Sequence, residues 1–121
     1  MYNQQQDWIM KQIKTIANTI AALVFRKAEV SYEIQDEANQ TETDMLFLHL
    51  NKMLDDGNIN GAEDMLFDEL DPSNTAYLLL AVDFYQRLNA IPDEELERCG
   101  YSRDEIIEGL CEVAGMYGMK F

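Results

Sequence analysis

The sequence predicts an all-α fold of about five main helices, stacked as antiparallel helical hairpins with an amphipathic N-terminal helix docked on them. Apolar residues recur every three or four positions over most of the chain, as they do on one face of a helix. Only two prolines and six glycines interrupt 121 residues, which favours long regular elements. No alternating run is long enough to predict a strand with a partner. The length fits a single domain, residues 1–121.

The first predicted helix covers residues 7–28, with Asp7 as its N-cap. Its main apolar positions follow a 4-3-4-3 spacing: Ile9, Ile13, Ile16, Ile20 and Leu23. This spacing is also that of a short coiled-coil seam, so a homodimer through these five residues is one hypothesis. The broad stripe with small residues on its flank favours the other, in which the helix docks on the protein's own core.

Residues 29–42 are predicted to be a connector, because their apolar residues follow no helical period. An irregular continuation of the first helix is the alternative. The connector is expected to end at Thr41 or Thr43, and Thr41 and Asp44 have the spacing of a capping box.

The first predicted hairpin spans residues 44–70 and consists of helices 44–55 and 60–70. Gly57 is placed just past the end of the first of these helices, where a left-handed backbone is easiest for glycine. Glu63, Asp64 and Asp68 are expected on the water-facing side of the second helix, which ends at Asp71-Pro72.

The second predicted hairpin spans residues 75–117. Helix 75–90 is apolar nearly all round, which predicts a central position. A short helix at 92–98 starts with a proline, and a last helix starts after the capping box formed by Ser102 and Glu105.

The charge is strongly asymmetric along the chain. Residues 1–30 carry +2 and residues 31–121 carry −16, which together give the net charge of −14. Such a surface repels nucleic-acid phosphates and anionic lipid headgroups, so we expect neither a nucleic acid nor a membrane as partner. It suits a basic protein partner, or simply solubility.

The turn at residues 56–61 resembles part of a calcium-binding loop. Oxygen-bearing side chains occupy four of the places at which an EF-hand loop has ligands: Asp56, Asn58, Asn60 and Asp64. The twelfth place, which should supply a bidentate glutamate, is Phe67. Asn and Asp are also typical of tight turns, so a structural turn is favoured over a calcium site.

No other residues combine into a catalytic or cofactor-binding pattern. His49 is the only histidine, and it is expected on a helix surface or at an interface. A functional buried acid is one hypothesis for Asp83, which lies in an apolar helix; an exposed i,i+4 ion pair with Arg87 is favoured over it. Cys111 is expected in the core and Cys99 nearer the surface. We therefore predict no enzymatic activity and no cofactor. Two cysteines form no disulfide framework and nothing resembles a signal peptide, so a cytoplasmic location is expected.

Residues 57–72 resemble the second half of a tetratricopeptide repeat. Gly57, Ala62, Leu66 and Leu70-Asp71-Pro72 match that pattern in kind, although the proline arrives about two residues early. With its opening Trp8-Ile-Met-Lys-Gln-Ile, the whole chain resembles a family of small, uncharacterised helical proteins from Gram-positive bacteria. That resemblance implies a fold class and transfers no site residue.

The function predicted from these features is a non-enzymatic module that binds a protein segment, preferably a basic one, on its helical hairpins. A first alternative is an acidic mimic of nucleic acid that occupies a DNA-binding protein. A second alternative is a calcium-binding or small-ligand module at residues 56–68. The identity of the partner and the oligomeric state do not follow from the sequence.

Overall fold

A computed structural model describes the backbone of residues 4–121 and the side chains of residues 6–121. This part of the chain contains no strand, which confirms the all-α prediction. The helices are α1 (Gln4–Ile20), α2 (Glu42–Asp55), α3 (Ile59–Glu69), α4 (Thr75–Asn89), α5 (Asp93–Arg98) and α6 (Arg103–Met116). None of them is long and apolar enough to cross a lipid bilayer.

Helix α4 lies at the centre of the fold and packs against α1, α2 and α6. Nine of its fifteen residues are buried, including Leu78, Val82 and Leu88. Helices α2 and α3 pack on each other, and α1 packs on α6. The apolar side chains of α4 thus form the middle of one continuous core.

Helix α1 differs from its prediction at both ends. The chain is already helical at Gln4, so Asp7 lies inside the helix and is not its N-cap. The α-helix ends at Ile20 and continues as a π-helical segment, Ala21–Phe25, and not as an α-helix to residue 28. Arg26 then adopts a left-handed conformation, with φ 56°, which ends the helical hydrogen bonding. Residues 1–3 lie outside the described residues.

The apolar stripe of α1 packs on the protein's own core. Ile13 and Ile20 are fully buried, and Ile9 and Ile16 pack against the buried cluster. Four of the five residues predicted as a subunit seam therefore face this core, while Leu23 stays 65% exposed.

The connector between α1 and α2 has no regular secondary structure, as predicted. Its end is the predicted capping box, in which the Asp44 amide donates to Thr41 Oγ1 at 3.1 Å and the Thr41 amide donates to Asp44 Oδ2 at 2.9 Å. Because Thr41 is the N-cap, α2 begins at Glu42, two residues earlier than predicted.

Two hydrogen bonds from Tyr32 link the connector to α4 and α2. Its backbone amide donates to Asp83 Oδ1 on α4 at 3.0 Å, and its hydroxyl donates to Asp44 Oδ1 on α2 at 2.5 Å. The hydrogen bond from the Tyr32 hydroxyl, followed by that from the Thr41 amide, holds the pKa of Asp44 below its ordinary value.

The predicted ion pair on α4 forms, but it is not exposed as predicted. Arg87 Nε donates to Asp83 Oδ2 at 2.7 Å, while Asp83 is only 6% exposed. The reason is the connector, because Tyr32 lies over Asp83 and supplies its second hydrogen bond. Only the arginine reaches the surface.

We expect Tyr32→Phe to lower the free energy of unfolding at pH 7 by about 1.5–3 kcal/mol, because it removes a hydrogen bond to an ionised carboxylate. Asp44 has a lowered pKa in the folded protein, so its contribution is present above the unfolded pKa of about 3.9 and is lost as the pH falls through the folded pKa. The difference between the parent and the variant should therefore shrink below about pH 4. Urea denaturation followed by circular dichroism at several pH values measures it.

Tyr77→Phe is the matched control. Tyr77 is also buried, but its hydroxyl forms no hydrogen bond with any other described residue. Its replacement should change the free energy of unfolding by less than about 0.5 kcal/mol. A Tyr32→Phe effect equal to that of the control, or one that is the same at every pH, would contradict the assigned hydrogen bond.

Candidate functional site

A groove of about 620 Å³ lies between α3 and α6. Its lining consists of six acidic residues, one phenylalanine and one glycine: Glu63, Asp64, Phe67, Asp68, Glu105, Glu108, Gly109 and Glu112. On each helix these residues are spaced by one, three or four positions, which brings their side chains to the same face. The groove therefore collects acidic side chains from two helices and contains no basic side chain.

Glu63 is the best-fixed carboxylate of the groove. Its Oε2 accepts a hydrogen bond from the Tyr85 hydroxyl at 2.5 Å and another from the Tyr101 hydroxyl at 2.8 Å. Both tyrosines are buried, and this burial, followed by the bonds to Glu63, raises the pKa of each hydroxyl far above its ordinary value of 10.0. The two hydroxyls therefore remain protonated donors at neutral pH. Because both bonds go to Oε2, the other oxygen of Glu63 receives no hydrogen bond from the described residues.

Gly109 allows α6 to approach this cluster. A Cβ atom at position 109 would collide with the Tyr85 hydroxyl and would lie 2.7 Å from Glu63 Oε2. Such contacts are closer than van der Waals distance, so no larger residue fits without a shift of the backbone or of Tyr85. Glycine at this position therefore sets the width of the groove at its middle.

The remaining carboxylates of the groove are not neutralised by the protein. Glu105 is engaged in the capping box of α6, where its Oε2 accepts a hydrogen bond from the Ser102 amide at 2.8 Å. Asp64, Asp68, Glu108 and Glu112 are exposed and form no ion pair within residues 6–121. Like charges held this close repel one another, and a bound cation relieves the repulsion.

The residues of the predicted calcium turn do not converge on one point. Asn58 Oδ1 accepts a hydrogen bond from the Gly61 amide at 3.0 Å and thereby caps α3. Asp56 forms an ion pair instead, with its Oδ2 3.8 Å from Lys52 Nζ. The Asn60 side chain donates to the Gly100 carbonyl at 3.4 Å. Only Asp64 lines the acidic groove. Within the described residues, no group of three histidine, cysteine or acidic side chains is placed to hold a metal ion.

The other candidate residues lie apart from the groove. His49 is exposed on α2, in keeping with its predicted surface position. Cys111 is half-buried and not fully in the core, and this partial burial raises the pKa of its thiol. Cys99 is half-buried as well, close to Gly57, which has the predicted left-handed conformation with φ 79°.

The Glu63 cluster was missed by the sequence analysis, which expected Glu63 to face water. The available signal was Tyr85, a tyrosine in a helix that is apolar nearly all round. A buried tyrosine hydroxyl needs a hydrogen-bond partner, which helix periodicity does not identify. Arg103 was missed for the same reason: it is 3% exposed, donates to Asp93 at 2.8 Å, and donates to the carbonyls of Asn89 and Ile91 at 2.8 and 2.7 Å.

Comparison with known proteins identifies a family for the chain. The model of a family of unknown function, DUF6483, matches residues 3–118, and the chain belongs to this family. No curated protein and no solved structure matches the chain significantly. The function of the protein is therefore unknown, and no activity or partner comes to it from a relative.

We expect Gly109→Ala to lower the free energy of unfolding by about 1–3 kcal/mol, because the added methyl group collides with Tyr85 and Glu63. Gly115→Ala is the matched control on the same helix, since nothing lies within 4 Å of a Cβ atom there. The control should raise the stability by about 0.5–1 kcal/mol through the helix propensity of alanine. Thermal unfolding of the two variants measures both effects, and a Gly109→Ala variant as stable as the control would contradict the close approach.

Proposed function

We propose that this member of a family of unknown function is a non-enzymatic interaction module that binds a basic segment of another protein in the groove between α3 and α6. One observation carries the proposal: six acidic side chains line this groove without a basic one among them. A lysine or arginine side chain entering the groove would supply the missing counter-charge.

Within the groove, Glu63 supports an arginine more specifically than a lysine. Its carboxylate is held in one orientation by Tyr85 and Tyr101, so its ordering cost is already met before a ligand arrives. Because Oε2 already accepts two hydrogen bonds, Oε1 remains to accept an N–H of a guanidinium group, whose planar face suits packing on Phe67. Phe67 in the same lining adds an aromatic surface that can pack on the aliphatic part of such a side chain, or on the cation itself.

The concave shape favours this function over nucleic-acid mimicry, which uses the same negative charge. The carboxylates come from two helices on opposite sides of a groove, which is suited to enclosing an extended segment. Helix α3 is about 16 Å long, so about five residues of an extended peptide would cross the groove.

We also propose that the protein has no enzymatic activity and that it is located in the cytoplasm. The lining offers Glu63 as an oriented acid but no serine, cysteine, lysine or histidine beside it that could act as nucleophile or base. The two cysteines are free thiols, which suits a reducing cytoplasm. We also propose that the α2–α3 pair is a tetratricopeptide-like hairpin and that the protein comes from a Gram-positive bacterium.

The first test is binding of a fluorescently labelled peptide of about eight residues with alternating arginine and serine, measured by anisotropy. We expect the double variant Glu108→Gln/Glu112→Gln to weaken binding about five- to thirtyfold, because two exposed charge contacts in the groove are removed. Both residues are exposed and neither is in an ion pair, so the fold should not change.

The matched control is Glu94→Gln/Glu97→Gln on α5. It changes the net charge by the same amount at exposed positions outside the groove lining. Binding should stay within about twofold of the parent, since a long-range charge effect is largely screened at physiological salt. Equal weakening in both double variants would mean that overall charge, and not the groove, attracts the peptide.

A further inference from the structure

We propose that the cleft on the other side of α6, between α1 and α6, is a self-association face. Two copies of the chain would meet there around a twofold axis, and Trp8 of each copy would enter the cleft of its partner. This inference concerns a different surface from the proposed peptide groove and does not depend on it.

The cleft has a volume of about 650 Å³ and an apolar floor formed by Ile16, Ile107 and Cys111. Two aromatic side chains at its border are left in water: Trp8 is 60% exposed and Phe121 is 51% exposed. A large aromatic side chain gains substantially from burial, so this border is the kind of surface that a partner covers.

The charge distribution indicates that the partner is a second copy. With a net charge of −14 on each chain, two copies repel each other over most of their surfaces. Helix α1 is the exception among the described helices, since it holds Lys11 and Lys14 against Asp7 alone, a balance of two minus one, or +1, whereas no other helix has a positive balance. The outer face of α1 is therefore the place where two copies approach at the lowest electrostatic cost.

The two sides of the cleft are also complementary in charge. Lys11 lies on the α1 side, and Asp104 lies one turn before Ile107 on the α6 side. Neither residue forms an ion pair within residues 6–121. A twofold axis that sets α1 of one copy against α6 of the other brings Lys11 opposite the partner's Asp104, and it does so twice.

The size of this face predicts a weak dimer. Helix α1 is about 25 Å long and two adjacent helices are about 20 Å wide, so each copy offers on the order of 500 Å². Stable complexes bury about 800 Å² per partner, and smaller interfaces are typically transient. We therefore expect a dissociation constant in the micromolar range, about 1–100 µM.

The test combines sedimentation velocity with intrinsic fluorescence of the full chain over about 1–300 µM, a range that brackets this dissociation constant. Trp8 is the only tryptophan, so its emission reports this face alone. We expect a monomer with solvent-exposed Trp8 at low concentration, and a dimer with emission at shorter wavelength at high concentration. The two transitions should have the same midpoint.

Charge variants separate this face from others. Lys11→Glu should raise the dissociation constant at least about tenfold and move the change in Trp8 emission to correspondingly higher concentrations. Lys52→Glu makes the same change of charge at an exposed position on α2 and should leave the midpoint unchanged. The double variant Lys11→Glu/Asp104→Lys should restore the dimer by exchanging the two charges.

Several results would overturn the proposal. They are a monomer at every concentration, a dimer in which the Trp8 emission does not move, and a midpoint concentration that is unaffected by Lys11→Glu or raised equally by Lys52→Glu. A blue-shifted Trp8 in a dilute monomer would also overturn it, because the cleft would then be covered without a second copy. Failure of the double variant to recover the dimer would refute the pairing of Lys11 with the partner's Asp104.

Discussion

The burial of α4 on nearly every side is the constraint on which the other contacts depend. A polar group on such a helix has little access to water, and leaving it unpaired would cost about 1–3 kcal/mol. Three polar side chains of α4 therefore bond to three different parts of the chain. Asp83 binds the Tyr32 amide of the connector, Tyr85 binds Glu63 of α3, and Asn89 donates to the Met10 carbonyl of α1 at 3.1 Å. The same hydrogen bonds that satisfy α4 thus hold the surrounding elements in place.

The shape of the acidic groove is a consequence of this requirement. The Tyr85 hydroxyl reaches Glu63 at the edge of the core, and α6 passes over the pair only because residue 109 is glycine. The carboxylate is consequently fixed at the floor of a groove whose other acids remain in water. On its opposite side α6 carries Ile107 and Cys111, which face α1 and the apolar cleft. One helix therefore separates two surfaces of contrasting chemistry, one suited to a cation and the other to an apolar partner.

Features that depend on residues close in sequence were predictable. The capping boxes at Thr41 and Ser102 join residues three apart, and both form as expected. The left-handed turn at Gly57 follows from the conformational freedom of glycine. Two acidic residues were misplaced, since Glu63 was expected in water and the pair of Asp83 with Arg87 was expected at the surface. Their partners lie 22 and 51 residues away in the chain, beyond any local pattern.

The sequence by itself thus determined the number of helices and their approximate positions, the capping boxes at Thr41 and Ser102, the central position of α4 and the uneven charge along the chain. These properties follow from helical periodicity and from composition, which are already set in an unfolded chain. Only the tertiary structure decided which acid is buried, which acids gather in one groove and which face of α1 remains free. Burial depends on side chains that distant segments contribute, and those segments meet only when the chain has folded.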